Sequence, residues 1–112
     1  MGERFTEFYI LGLEGKAENY PREVILGENG SVILGIVNRE HGTTEYKVEI
    51  SIDGEEVGEI GPITLEHEEK WEEEVAFAPA RAGQNQKVEF LLYKGGGTEP
   101  YQKIHLWIDV EE

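Results

Sequence analysis

Histidines, serines and a dense field of carboxylates are the groups in this chain that acid–base, nucleophilic or metal chemistry would recruit first. His41, His67 and His105 fall in three separate segments, and no two have the i, i+4 spacing of a helical metal motif. The stretch "LEHEEKWEEE" sets Glu66, His67, Glu68 and Glu69 side by side. Adjacent loop residues cannot all converge on one ion, and no calcium-loop spacing is present, so this run reads as a solvated loop. Ser31 and Ser51 are the only serines, and neither sits in a G-x-S-x-G elbow. With 24 Asp and Glu residues, close carboxylate pairs arise by chance and carry no specific signal for acid–base work. "KGGGTEP" lacks the Lys-Ser/Thr and the strand-to-helix setting of a phosphate loop, so it reads as a hairpin connection. The expectation is no catalytic residue, no metal ligand and no cofactor. One motif remains: Asn29-Gly30-Ser31 is an N-glycosylation acceptor if the domain lies outside a membrane, although "ENGS" is equally a turn before a strand.

Composition narrows the partners. At 112 residues the chain is the size of one domain, and its formal net charge of −14 opposes attraction to nucleic acid or to anionic lipid. Cysteine is absent, which removes disulfides and thiolate metal sites. The longest apolar runs, such as Val32 to Val37, fall far short of the ~20 residues of a membrane-spanning helix, so no direct membrane insertion by this segment is expected. "MGERFTEFYI" lacks the basic head and apolar run of a signal peptide. The chain therefore reads as cytosolic or as an excised piece of something larger.

The elements that must position any site are strands. In "TEYKVEISID" Tyr46, Val48, Ile50 and Ile52 share one face and Glu45, Lys47, Glu49 and Ser51 the other, the alternation of a half-buried antiparallel strand. Asp53-Gly54 then marks a tight turn into a short edge-like strand from Glu56 to Ile60, which Gly61-Pro62 is expected to end. "SVILGIVN" is apolar on both registers, a central strand, with Gly35 placed where a side chain would crowd a neighbour. "KWEEEVAFAP" puts Glu73 on the register of Trp71, Val75 and Phe77, so a bulge or strand end is expected there. "RFTEFYILG" is a first strand, and Leu13 to Asn29 reads as an irregular return. About seven strands without a long helix define an all-β, immunoglobulin-like sandwich with Greek-key connections, a single domain over residues 1–112. Its predicted core comprises Val32, Leu34, Ile36, Tyr46, Val48, Ile50, Trp71, Val75, Phe77, Val88, Phe90, Leu92, Ile104, Leu106 and Ile108.

The closing stretch "VEFLLYKGGGTEPYQKIHLWIDV" carries large apolar residues on both registers. If Phe90, Leu92, Leu106 and Ile108 face the core, then Leu91, Tyr93, His105 and Trp107 leave it, and a hairpin should gather those four into one outward apolar patch. Two fates are open for that patch. Phe5, Phe8 and Tyr9 of the aromatic N-terminal run can cover it, or it stays exposed, joined by Tyr101, as a surface of Leu91, Tyr93, Tyr101, His105 and Trp107 that receives a partner.

The combination "FTEFYILG", "GIVNREH", "WEEEVAFAP", "VEFLLYK" and "IHLWIDV" resembles the C-terminal soluble domain of an archaeal membrane-protein family, domain of unknown function 1616, from Phe5 to Val110. The resemblance implies membrane spans N-terminal to this part in the parent, an extracytoplasmic address at the cell surface, and no known binding residues. The reading is a non-enzymatic interaction or structural module whose partner is another protein or cell-surface component. The alternatives are a carbohydrate-binding module that stacks glycan on exposed aromatics and a fragment of a metal-dependent hydrolase.

Overall fold

Period-2 alternation builds two sheets in the computed structural model, which describes residues 2–112. Eight strands run in chain order: β1 (Phe5–Leu11), β2 (Glu23–Ile25), β3 (Gly30–Arg39), β4 (Thr44–Ile52), β5 (Glu55–Leu65), β6 (Lys70–Phe77), β7 (Gly83–Lys94) and β8 (Gln102–Glu111). The described residues contain no helix. One sheet has the order β1-β3-β6 and the other β2-β8-β7-β4-β5. Every neighbouring pair is antiparallel except β2 and β8, which are parallel. Consecutive strands therefore cross repeatedly between the sheets, and the inner faces enclose a single core.

That core is the inward register of the central strands. Val32, Leu34 and Ile36 of β3, Tyr46, Val48 and Ile50 of β4, and Val88, Phe90 and Leu92 of β7 are all sealed from solvent. Val75, Phe77, Leu106 and Ile108 join them, and the Phe77 and Phe90 rings meet edge to face. Each such side chain contributes roughly 1.5–3 kcal/mol of burial. Trp71 and Ile104, expected inside, are only partly buried and pack against the rim of the core. Trp71 lies on β6, an outer strand of the smaller sheet, and Ile104 on the open side of β8. Phe8, Val24, Ile52, Leu65 and Val110 complete the cluster.

Gly35 shows why β3 is apolar on both faces. The Tyr9 ring of β1 lies directly across it, occupying the space a Cβ would need. Tyr9 then reaches β6, donating its hydroxyl to Glu72 Oε2 at 2.7 Å. Burial, reinforced by that carboxylate, pushes the phenol pKa up to about 12.

Three sequence expectations are corrected. The irregular return contains a strand, β2, which is only three residues long and so leaves too little alternation to detect. Gly61-Pro62 does not end β5; the partners shift from Val48↔Ile60 to Tyr46↔Ile63, so these residues form a bulge and the strand resumes to Leu65. An outer strand tolerates this because the missing proline N–H costs no ladder bond on the solvent side. Finally, β6 pairs with β3 in continuous register from Lys70 to Phe77, with Glu73 opposite Leu34 and no bulge. Glu73 is nevertheless exposed, unlike Val75 and Phe77 further along the same register.

Candidate functional site

The β7–β8 hairpin does turn Leu91, Tyr93, His105 and Trp107 away from the core, as alternation requires. The register, however, does not gather them. Trp107 lies opposite Lys87, His105 opposite Glu89 and Leu91 opposite Lys103, while Tyr93 faces Lys47 of β4. Every apolar or aromatic residue of this face thus has a charged cross-strand partner, and the expected single apolar patch is replaced by an interleaved one. The N-terminal run does not cover it either. β1 belongs to the opposite sheet, where Phe8 enters the core, Tyr9 lies over Gly35 and Phe5 stays exposed.

Trp107 is consequently 53% exposed on a regular strand. The His105 ring meets it edge-on with centroids 5.9 Å apart, and the Lys87 ammonium lies 5.9 Å from its centroid. Beside it opens a cleft of about 360 Å³ lined by Tyr20, Arg22, Asn85, Trp107 and Asp109 among others. The Asp109 carboxylate accepts the Asn85 amide N–H at 2.8 Å, which fixes that wall.

Tyr93 and Tyr101 lie at the other end of the hairpin and are engaged differently. Tyr93 donates to Glu49 Oε1 at 3.1 Å, beneath the Lys47 ammonium; burial first, then Glu49, raises its pKa. Tyr101 donates to Glu40 Oε2 at 2.8 Å, and Lys94 Nζ sits 4.0 Å from its ring centroid. Glu40, in the β3–β4 turn, also accepts from Thr6 Oγ1 at 2.7 Å and pairs with Lys94 Nζ at 3.3 Å. Thr6 in turn meets the buried Tyr46 hydroxyl at 2.8 Å, and Gln102 Nε2 donates to the Thr6 carbonyl. This clasp joins both sheets. Burial alone would raise the Glu40 pKa, but the donors Thr6, Tyr101 and Lys94 outweigh it and hold the carboxyl below its ordinary value.

Two groupings were illegible in the sequence. His41 and His67 meet edge to face with centroids 5.0 Å apart, the His41 amide donating to His67 Nδ1 at 3.2 Å. His67 Nε2 lies 3.8 Å from a Glu68 carboxylate oxygen. Glu49, Glu56 and Glu59 bring carboxylate oxygens within 4.8 Å of one another, because β4–β5 pairing sets Glu49 opposite Glu59. Glu49 already serves Tyr93 and Lys47, and the arrangement alone assigns no ion. Glu66 and Glu69 form the β5–β6 turn, with Glu69 Oε1 accepting the Glu66 amide N–H. Asn29 is exposed in the turn before β3.

The architecture defines the class: an immunoglobulin-like β-sandwich. A family model described as Domain of unknown function (DUF1616) matches residues 1–109, and the chain belongs to that family. Among solved structures it is similar to the CARDB domain of a Pyrococcus furiosus protein. The crystal structure of that domain, in complex with di-metal ions, gives a TM-score of 0.66 at 11% identity over 98% of this chain and 92% of that one. Its solution structure gives 0.66 at 12% identity over 96% and 97%. A β-glucosidase from Listeria innocua, in complex with glucose, contains a similar portion: TM-score 0.58, 15% identity, all of this chain but 17% of the enzyme. At these identities the likeness is one of fold. No curated protein sequence matches the chain.

Proposed function

We propose that this domain is a non-enzymatic interaction module, displayed on the extracytoplasmic side by a membrane-anchored parent, and that it contacts a protein partner through the outer face of β7–β8. The observation that carries the reading is Trp107, a large aromatic surface left 53% open on a rigid strand. An indole so placed gives contact area at little conformational cost, and the flanking Lys87, Glu89 and Lys103 supply a polar rim. The candidate surface centres on Trp107, His105 and Leu91; Tyr93 and Tyr101, at the hairpin end, have hydroxyls already committed to Glu49 and Glu40. No helix among the described residues is long and apolar enough to cross a membrane, so anchoring falls to another part of the parent.

Photo-crosslinking from position 107 in the membrane-embedded parent tests this. A crosslinked protein absent from a probe at Ala76, exposed on the opposite sheet, is expected. Equal labelling from both positions contradicts the reading. The sidedness is tested separately: the native chain has no cysteine, so a single Glu59→Cys should react with a membrane-impermeant maleimide on intact cells.

A second reading rests on the cleft beside Trp107. Its combination of aromatic face, Arg22, Asn85 and Asp109 is the chemistry of a sugar-stacking subsite, and selective retention on a glycan array, lost in Trp107→Ala, would favour it over a protein partner.

A further inference from the structure

The outer edge of β8 is a separate surface with its own chemistry. At its C-terminal end β2 occupies it: the Arg22 carbonyl accepts the Asp109 N–H at 2.8 Å, and the Glu111 carbonyl accepts the Leu26 N–H at 2.6 Å. Strand backbones point N–H and C=O alternately to their two edges, so those of Lys103, His105 and Trp107 face the same way as those of Asp109. β2 cannot extend to meet them. Pro21 has no N–H to give, and Asn19 turns the chain away with a φ of 60°.

The vacated edge is bounded and lined. Gln102 bridges to the Thr6 carbonyl at one end, and Tyr20 donates to the Ile10 carbonyl at the other. Between them runs a groove of about 530 Å³ along Phe8, Ile10, Tyr20, Ile104 and Leu106. Two of the outer strands carry blocking features: Glu55, Glu56, Glu59 and Pro62 on β5, and Glu72, Glu73 and Glu74 on β6. Lys103 to Ile108 carries no acid, proline or glycine, in a chain of net charge −14. None of the seven ion pairs among the described residues involves Lys103 or Arg22, the cations flanking this edge.

We propose that the β8 edge from Lys103 to Trp107 accepts, by strand addition, an extended segment of a partner protein in which apolar and acidic residues alternate. Inward residues of the added strand fill the apolar groove, and outward ones lie beside Lys103 and His105, whose side chains occupy the outer face. The added strand is collinear with β2 and completes the row that Pro21 interrupts. A second copy of this chain fits poorly, because β8 offers no acid between Lys103 and Ile108 to meet Lys103, and the pairing brings two strongly acidic domains together. The proposal does not depend on the Trp107 face, since Trp107→Ala leaves the backbone edge intact.

The test uses a capped heptapeptide alternating valine and glutamate, with its valine–lysine counterpart as control, in ~0.15 M salt, where charges beyond about 8 Å are screened. The expected result is slowed amide exchange and shifted resonances at Lys103, His105 and Trp107 with the valine–glutamate peptide. Lys103→Glu should reverse the preference between the peptides. His105→Pro removes one outward N–H, a change edge strands tolerate, and should abolish the shifts with the fold retained. Lys103→Glu decides alone if that variant fails to fold. Unmoved amides at saturating peptide, or equal response to both peptides, would overturn the proposal. So would protection of these amides in concentrated domain alone, accompanied by sedimentation as a dimer.

Discussion

The two ends of the β7–β8 hairpin carry aromatic side chains of similar exposure and opposite commitment. At the loop end Tyr101 is 38% exposed, yet its hydroxyl is bound to Glu40 and its face is covered by the Lys94 ammonium. At the middle of β8, Trp107 is 53% exposed; the Lys87 ammonium lies over its ring at 5.9 Å, against 4.0 Å for Lys94 over Tyr101, and the His105 ring meets it edge-on. The first aromatic belongs to a clasp that ties the two sheets together; the second adds little to the fold that holds it. Exposure alone therefore does not mark a contact surface. What distinguishes the two regions is how closely the polar and π surfaces of the side chain are already held: Tyr101 has a carboxylate on its hydroxyl and an ammonium 4.0 Å from its ring centroid, Trp107 an ammonium at 5.9 Å.

Substitutions along the hairpin separate the roles. The largest effect is expected at Phe90→Ala, on the buried side of β7, which should cost about 3–5 kcal/mol in chemical denaturation because both ends rest on that core. A loss below ~0.5 kcal/mol would mean that the register, and with it the assignment of faces, is wrong.

Next is the clasp. Glu40→Ala removes the acceptor shared by Thr6, Tyr101 and Lys94 and should cost about 2 kcal/mol at neutral pH. The sign of its pH dependence follows from the lowered pKa. A carboxyl held below 4.5 in the folded state contributes stability that is present above the unfolded pKa and is lost as pH falls through the folded one. Acid titration of the wild type should show that loss below about pH 4.5, and Glu40→Gln should flatten the same limb. An unchanged acid limb in Glu40→Gln would place the clasp outside the stability of the fold.

The contrast with the other end is sharp: Trp107→Ala should change stability by no more than about 0.5 kcal/mol while eliminating partner contact. A comparably small effect, of opposite sign, belongs to neither end. Glu59→Lys replaces a like-charge neighbour of Glu49 and Glu56 with an opposite charge and should raise stability by about 0.2–1 kcal/mol at low salt, less at high salt.

Much of the fold was legible because one face of most strands is buried, and period-2 alternation reports burial directly. Alternation alone puts Tyr46, Val48 and Ile50, and Val88, Phe90 and Leu92, inward, and the glycine at position 35 in an apolar run signals the close approach that Tyr9 fills. Alternation gives the face of each residue but not its cross-strand partner. Partners depend on the loop length and bulges of the hairpin, and so Lys87, Glu89 and Lys103 were not foreseen between the aromatics. The same limit hid the clasp, whose members Thr6, Glu40, Tyr46 and Tyr101 meet only after β1 joins the opposite sheet. β2 escaped because three residues carry no period, and with it went the reason that the β8 edge is open.

The account turns on Trp107 being free in the isolated domain, and fluorescence quenching measures that without knowledge of the partner. Trp71→Phe leaves Trp107 as the sole indole, since the chain has two tryptophans. Acrylamide should then quench the emission efficiently, approaching the behaviour of an exposed indole, with emission at long wavelength. Strong protection from acrylamide, with blue-shifted emission, would mean that another part of the chain or a second copy covers the indole, and would contradict the assignment of this face as the contact surface.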